Sequence, residues 1–104
     1  MARKLTVNQH LVNKLGVRRA LMVETFVMLW AMYAAVEGED PASIDAMAEE
    51  IGRDRATLFR WQSYFREAFA AQEWQTPRDL LDAAHIARTR PVSVRQVGKL
   101  GMAS

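Results

Sequence analysis

Glycine and proline cut this chain of 104 residues into pieces of helix length, and that punctuation constrains the fold more than any other feature. Gly16 closes a segment from Val7 to Leu15, and the cluster Glu37-Gly38-Glu39-Asp40-Pro41 closes a longer one from about Arg18 to Val36. Gly52 separates a short segment after Ser43 from one that runs from Asp54 to about Ala71, and Thr76-Pro77-Arg78-Asp79 opens the last, to about Ile86. Glycine eases the left-handed backbone at which helices stop, and proline suits a first turn, so each break has a direction. Ile44, Met47, Ala48 and Ile51 repeat at i, i+3, i+4 and i+7, one buried helix face. Asn8, Ser43, Asp54 and Thr76 stand where caps belong. The expectation is an all-α bundle of about five helices over residues 1–87. A basic tail, 88–104, follows, with a weak Val92/Val94 alternation as its only strand signal.

The longest segment raises the question of membranes. Its uninterrupted apolar run, Phe26 to Val36, falls short of the roughly 20 residues a bilayer needs. Phe26, Val27, Leu29, Trp30, Met32 and Tyr33 nevertheless surround most of the helix, and a helix apolar all round is buried on several sides. Either this small core covers it or residues 20–36 form a subunit interface, giving a homodimer. The absence of cysteine excludes disulfides, thiol nucleophiles and cysteine-ligated metals, and no signal-peptide pattern opens the chain, so a cytoplasmic protein is expected.

The net charge of +2 conceals an asymmetry. Residues 1–20 carry Arg3, Lys4, Lys14, Arg18 and Arg19 with no acid, and 88–104 carry Arg88, Arg90, Arg95 and Lys99 with no acid. The middle holds five arginines against all twelve acids. Basic ends around an acidic body suit a polyanion partner, although chain ends are also commonly solvated charge. Enzymatic signals are thin. His10 and His85 have no partner in sequence, and Glu37, Glu39 and Asp40 sit in a breaker loop as solvent-facing turn residues. No phosphate loop or metal-ligand spacing occurs, so neither cofactor nor metal is expected.

Residues 43–70 are the informative segment. Ala48 is small where two helices would touch, Met47 and Ile51 flank it, Gly52 supplies a turn, Asp54 a cap, and Leu58 and Trp61 anchors for a second helix. On a 100° wheel from Arg55, residues Arg66, Phe59, Ser63, Ala56, Glu67 and Arg60 occupy one arc. Tyr64, Thr57, Ala68, Trp61, Phe65, Leu58 and Phe69 occupy the opposite one. One side is a packed aromatic face. The other offers arginines, a serine and an exposed ring, the inventory of a helix that reads a major groove. The plainer alternative is an amphipathic helix with a solvated arginine face.

The string Met47 to Trp61 resembles the helix-turn-helix of DNA-binding regulators, departing at Arg53, where that motif usually has valine or isoleucine. Met32 to Ala48 is similar to the first-to-second-helix segment of tetracycline-repressor-type regulators, with Gly38, Ser43, Ile44, Asp45 and Ala48 at that family's spacing. Ala56-Thr57-Leu58-Phe59-Arg60 echoes its recognition helix, in a likeness of about 30 residues without the family's large ligand-binding domain. A weaker echo at Leu11 to Ala20 has a glycine turn at Gly16 but a bulky Val12. With its arginine- and alanine-rich build, the chain resembles small regulators of temperate phages and mobile elements of actinobacteria, which implies a phage immunity-type repressor.

The expected function is therefore sequence-specific binding of double-stranded DNA, with repression of transcription as its outcome. Arg55, Arg60, Ala56, Phe59 and Ser63 would meet bases or phosphates, with Arg53 and Thr57 beside them. Arg18 and Arg19 would touch phosphates, and the arm Arg3-Lys4 a minor groove. The rivals are a phage packaging or excision factor that assembles on DNA, and an adaptor that uses helix 20–36 and binds no DNA.

Overall fold

The computed structural model describes the backbone of residues 6–89 and the side chains of residues 6–84. Among the described residues five α-helices follow one another: α1 (Val7–Leu15), α2 (Val17–Glu37), α3 (Ile44–Ile51), α4 (Arg55–Ala68) and α5 (Pro77–Thr89). A single 3-10 turn, Ala70–Gln72, links α4 to α5, and no strand occurs among the described residues. The fold is a small all-α bundle, as the punctuation implies. Arg3, Lys4 and the Val92/Val94 pair lie outside the described residues, while α5 continues through Thr89, into the first residues expected to be tail.

The helix starts correct the capping assignments in three places. Thr6, not Asn8, caps α1: its hydroxyl accepts the Gln9 N–H at 3.1 Å, and the Gln9 side chain accepts the Thr6 N–H at 3.0 Å. Thr6-x-x-Gln9 is a capping box, legible in the sequence as a hydroxyl followed three residues later by glutamine. Ser43 caps α3 as expected, accepting the Ala46 N–H at 3.0 Å. Asp54 occupies the cap position of α4, but its carboxylate takes the Thr57 hydroxyl, at 3.5 Å, and no backbone N–H. At α5 the cap comes from inside the helix, where the Asp79 carboxylate accepts the N–H groups of Gln75 (2.8 Å) and Thr76 (3.3 Å). A carboxylate at a positive helix terminus stabilises it whichever side it approaches from.

The core forms where α2 meets the other helices. Ala20, Val23, Phe26 and Trp30 of α2 join Leu11 of α1, Ile44, Met47 and Ala48 of α3, and Leu80 of α5. From α4 and its end come Leu58, Trp61, Phe65, Ala68 and Phe69. Phe26 meets Phe65 edge-on at 6.5 Å between ring centroids, and Phe65 continues to Phe69 at 4.9 Å. His10 closes this aromatic row: its ring stacks on Phe69 at 5.1 Å, and its Nε2 donates to the Ala68 carbonyl at 2.7 Å. It thereby ties α1 to the last turn of α4, whose carbonyls have no intrahelical partner.

Asp40 also departs from expectation. It is not a solvent-facing turn residue but joins three parts of the bundle. The Trp30 indole donates to its carboxylate at 3.2 Å, and Arg78 of α5 grips it through two nitrogens at 2.8–3.1 Å. Arg78 reaches Asp82 as well, at 3.3 Å. The hydrogen bond from Arg78 holds the Asp40 carboxyl below the usual carboxylate range, against a smaller opposing effect of burial.

The helix α2 is longer than its apolar run, and its 21 residues contain an 18-residue stretch of mean hydropathy 1.4, which meets the length and composition of a bilayer span. Only one face is buried among the described residues, however. Val17, Leu21, Met28, Met32 and Val36 on the other face are all more than half exposed, so the helix is not enclosed on several sides among the described residues.

Candidate nucleic-acid interface

The α3–α4 pair is set by a turn of three residues. Gly52 ends α3 in the left-handed region, at φ +73°, and the Arg53 N–H returns to the Ala48 carbonyl at 2.9 Å. A side chain with a β-carbon is strained at that φ, so glycine is the residue for this corner. Three residues after Gly52, α4 begins at Arg55, with the Asp54 carbonyl accepting from Thr57 and Leu58. The pair is fixed to the bundle from behind by Met47 and Ala48 of α3 and by Leu58, Trp61 and Phe65 of α4.

The two faces of α4 divide as the wheel divides them. Leu58, Trp61, Phe65 and Ala68 are buried, while Arg55, Ala56, Phe59, Arg60, Ser63, Arg66 and Glu67 are exposed. Gln62, at the seam between the arcs, is buried too, which the wheel does not assign. Phe59 keeps 42% of its surface exposed, and the Arg55 guanidinium lies over its ring at 5.7 Å. Thr57 is half-buried, its hydroxyl turned to Asp54, so it is less available to a ligand than expected.

Arg55 is not a free cation. Its Nε bonds the Asp45 carboxylate of α3 at 2.8 Å, across the glycine turn, with both side chains more than half exposed. An ion pair this exposed is worth at most about 1 kcal/mol. It orients the guanidinium more than it neutralises it, and it leaves the two terminal nitrogens outside the contact. Arg53 lies over the Trp61 ring at 5.4 Å from its centroid, which is how the bundle accommodates arginine where a turn usually packs an aliphatic side chain. Arg19 of α2 lies over Tyr64 of α4 at 4.9 Å and so belongs to the same neighbourhood. Arg18 is exposed at the start of α2, and Arg66 is committed to the Gln75 carbonyl at 3.1 Å.

The structure thus brings Arg19, Arg53, Arg55, Phe59, Arg60 and Ser63 to α4 and its approaches, with acids Asp45, Glu49 and Asp54 exposed on the α3 side. The aromatic seats of Arg19 and Arg53 and the Asp45 partner of Arg55 escaped sequence reasoning. Each links positions with no shared helical period. No family model, curated protein or solved structure matches the chain.

Proposed function

We propose that the chain is a sequence-specific double-stranded DNA-binding protein of the helix-turn-helix kind, and that it represses transcription by occupying an operator. The observation that carries this reading is the outward face of α4. It is a short helix pinned from behind by an aromatic core, reached by a glycine turn, and armed at its start with Arg55, Phe59 and Arg60. A helix held this way presents its amino-terminal half to a major groove without any rearrangement of the core.

The proposal gives each exposed side chain a role. Arg55, oriented through its Nε by Asp45, offers its two terminal nitrogens to a guanine edge, and Arg60 reaches a neighbouring base or phosphate. Ala56 and Phe59 supply apolar contact for thymine methyl groups, and Ser63 a hydroxyl for a phosphate. Arg53 and Arg19, resting on the rings of Trp61 and Tyr64 one turn apart on α4, are phosphate clamps along one flank. Such a protein acts in the cytoplasm, on the nucleoid.

A mobility-shift screen against the DNA flanking its own gene tests the reading. The expected result is one site or a few, bound in preference to bulk DNA. Equal affinity for every fragment, or none for any, would overturn it.

A further inference from the structure

We propose that two copies of this chain pair through α2, antiparallel, about a two-fold axis that passes between Thr25 and Met28. The exposed apolar residues Val17, Leu21, Met28, Met32 and Val36 fall within an arc of about 100° opposite the core-facing residues, so they form one stripe along the helix. A continuous apolar stripe on a soluble chain marks an interface. Thr25 completes it, because its hydroxyl is spent on the Leu21 carbonyl at 2.9 Å and its methyl group remains for packing.

Self-complementarity selects the occupant. The positions 17, 21, 25, 28, 32 and 36 are spaced 4, 4, 3, 4 and 4, a series that reads the same in both directions. Reversing one helix against a second copy sets Val17 opposite Val36, Leu21 opposite Met32 and Thr25 opposite Met28. A two-fold interface requires this reciprocity, with residue i on j and j on i.

Charge selects the direction. Arg18 and Arg19 open α2 with no acid in the first turn, and Glu37 closes it with no base in the last, so its terminal charges oppose its own dipole. In a parallel pair that conflict would be doubled. In the antiparallel pair each charge meets the opposite pole of the other copy. The same reversal places Arg18 beside a groove of about 200 Å³ lined by Tyr33, Val36, Glu37 and Glu50 on its partner. Arg18 is thereby assigned to this acidic rim rather than to phosphate, and the pairing stands independently of the DNA reading.

The test uses the full chain without DNA. Analytical ultracentrifugation should show a concentration-dependent dimer that Met32→Glu converts to monomer with unchanged helicity, because Met32 touches solvent and not the core. Arg18→Glu should weaken the dimer, and adding Glu37→Arg should recover it. Cysteine is absent from the chain, so disulfide trapping reads the register directly. Val17→Cys chains mixed with Val36→Cys chains should oxidise to a mixed dimer, and neither should cross-link alone. A monomer at every concentration, a cross-link within Val17→Cys alone, or partition onto phosphatidylcholine vesicles in place of self-association would each overturn the proposal.

Discussion

On the proposed DNA-binding reading, two side chains separate base reading from positioning at the level of single residues, and a third sets stability. Arg60 is exposed and touches none of the core, so Arg60→Ala should leave the melting temperature nearly unchanged. If it grips a base, the substitution costs about 1–3 kcal/mol at the preferred site and relaxes one base pair. Asp45 puts a negative charge beside Arg55, so on the proposed reading Asp45→Asn should raise affinity for all DNA sequences while blurring preference, because it removes a repelling charge and the strut that aims Arg55. Unchanged binding in both variants, measured by fluorescence anisotropy on preferred and scrambled duplexes, would move the site away from the start of α4. Asp40 governs stability instead. Its carboxyl titrates below an ordinary aspartate, so folding gains from its ionisation at neutral pH and keeps that gain down to the ordinary value of about 3.9. The gain is lost as pH falls further, through the folded-state value, because the native state must then take up a proton it resists. Denaturant midpoints should therefore fall on acidification below about pH 4 in the native chain, and less steeply in Asp40→Asn. Parallel curves would remove Asp40 from the acid sensitivity of the fold.

At the level of elements, stability and geometry meet at the α3–α4 corner and its anchor. Trp61 keeps only 8% of its surface exposed, so Trp61→Ala should cost about 3–5 kcal/mol by leaving a cavity against Leu58 and Phe65. A normal melting temperature in that variant would show that the faces of α4 are inverted. Gly52→Ala meets no atom within 4 Å, so its penalty is purely conformational, about 1–2 kcal/mol for a left-handed residue. Gly52→Asn should cost less, since asparagine adopts that conformation more readily, and urea titration of the two variants ranks them. These features were legible because they are local. Gly16, Gly38 and Gly52 end helices where they stand, and Ser43 caps the helix beside it. The two faces of α4 follow from a period of 3.6 residues. What escaped reading is what tertiary proximity decides. Asp40 and Arg78 meet across 38 positions, Asp45 and Arg55 across a turn whose angle no local pattern states, and His10 and Ala68 from separate helices. Composition gave α2 apolar residues on every side but not which side this chain would cover. Of the candidate site, its face was legible and its supports were not.

Over the whole molecule the charges sort by position rather than cancel. Arg18 and Arg19 stand at the start of α2, Arg55 and Arg60 on the outer face of α4, and Glu37 and Glu39 at the far end of α2, whereas at the α3–α4 turn Arg53 shares its surroundings with Asp45, Glu49, Glu50 and Asp54. On the proposed DNA-binding reading, the arginines of α4 and its turn draw a polyanion to that face against the acids beside it. Residues 88–104 add Arg88, Arg90, Arg95 and Lys99 with no acid, and residues 1–5 add Arg3 and Lys4. If these ends and the α4 arginines together neutralise about six phosphates, affinity should fall about 10³-fold between about 50 and 200 mM salt through release of condensed counterions. Removing residues 88–104 should lower affinity for every sequence alike and flatten that slope, because flanking cations hold the backbone without identifying bases. The Arg55→Ala, Arg60→Ala double variant should do the reverse in emphasis, losing discrimination first and about two contacts of slope second. Titrations of the three proteins at graded salt, on preferred and scrambled duplexes, separate the two effects. A slope near zero in the full chain would sink the polyanion reading altogether. A tail deletion that erased preference while sparing the slope would transfer base recognition from α4 to the carboxyl-terminal end, leaving the exposed arginines of α4 as a solvated face.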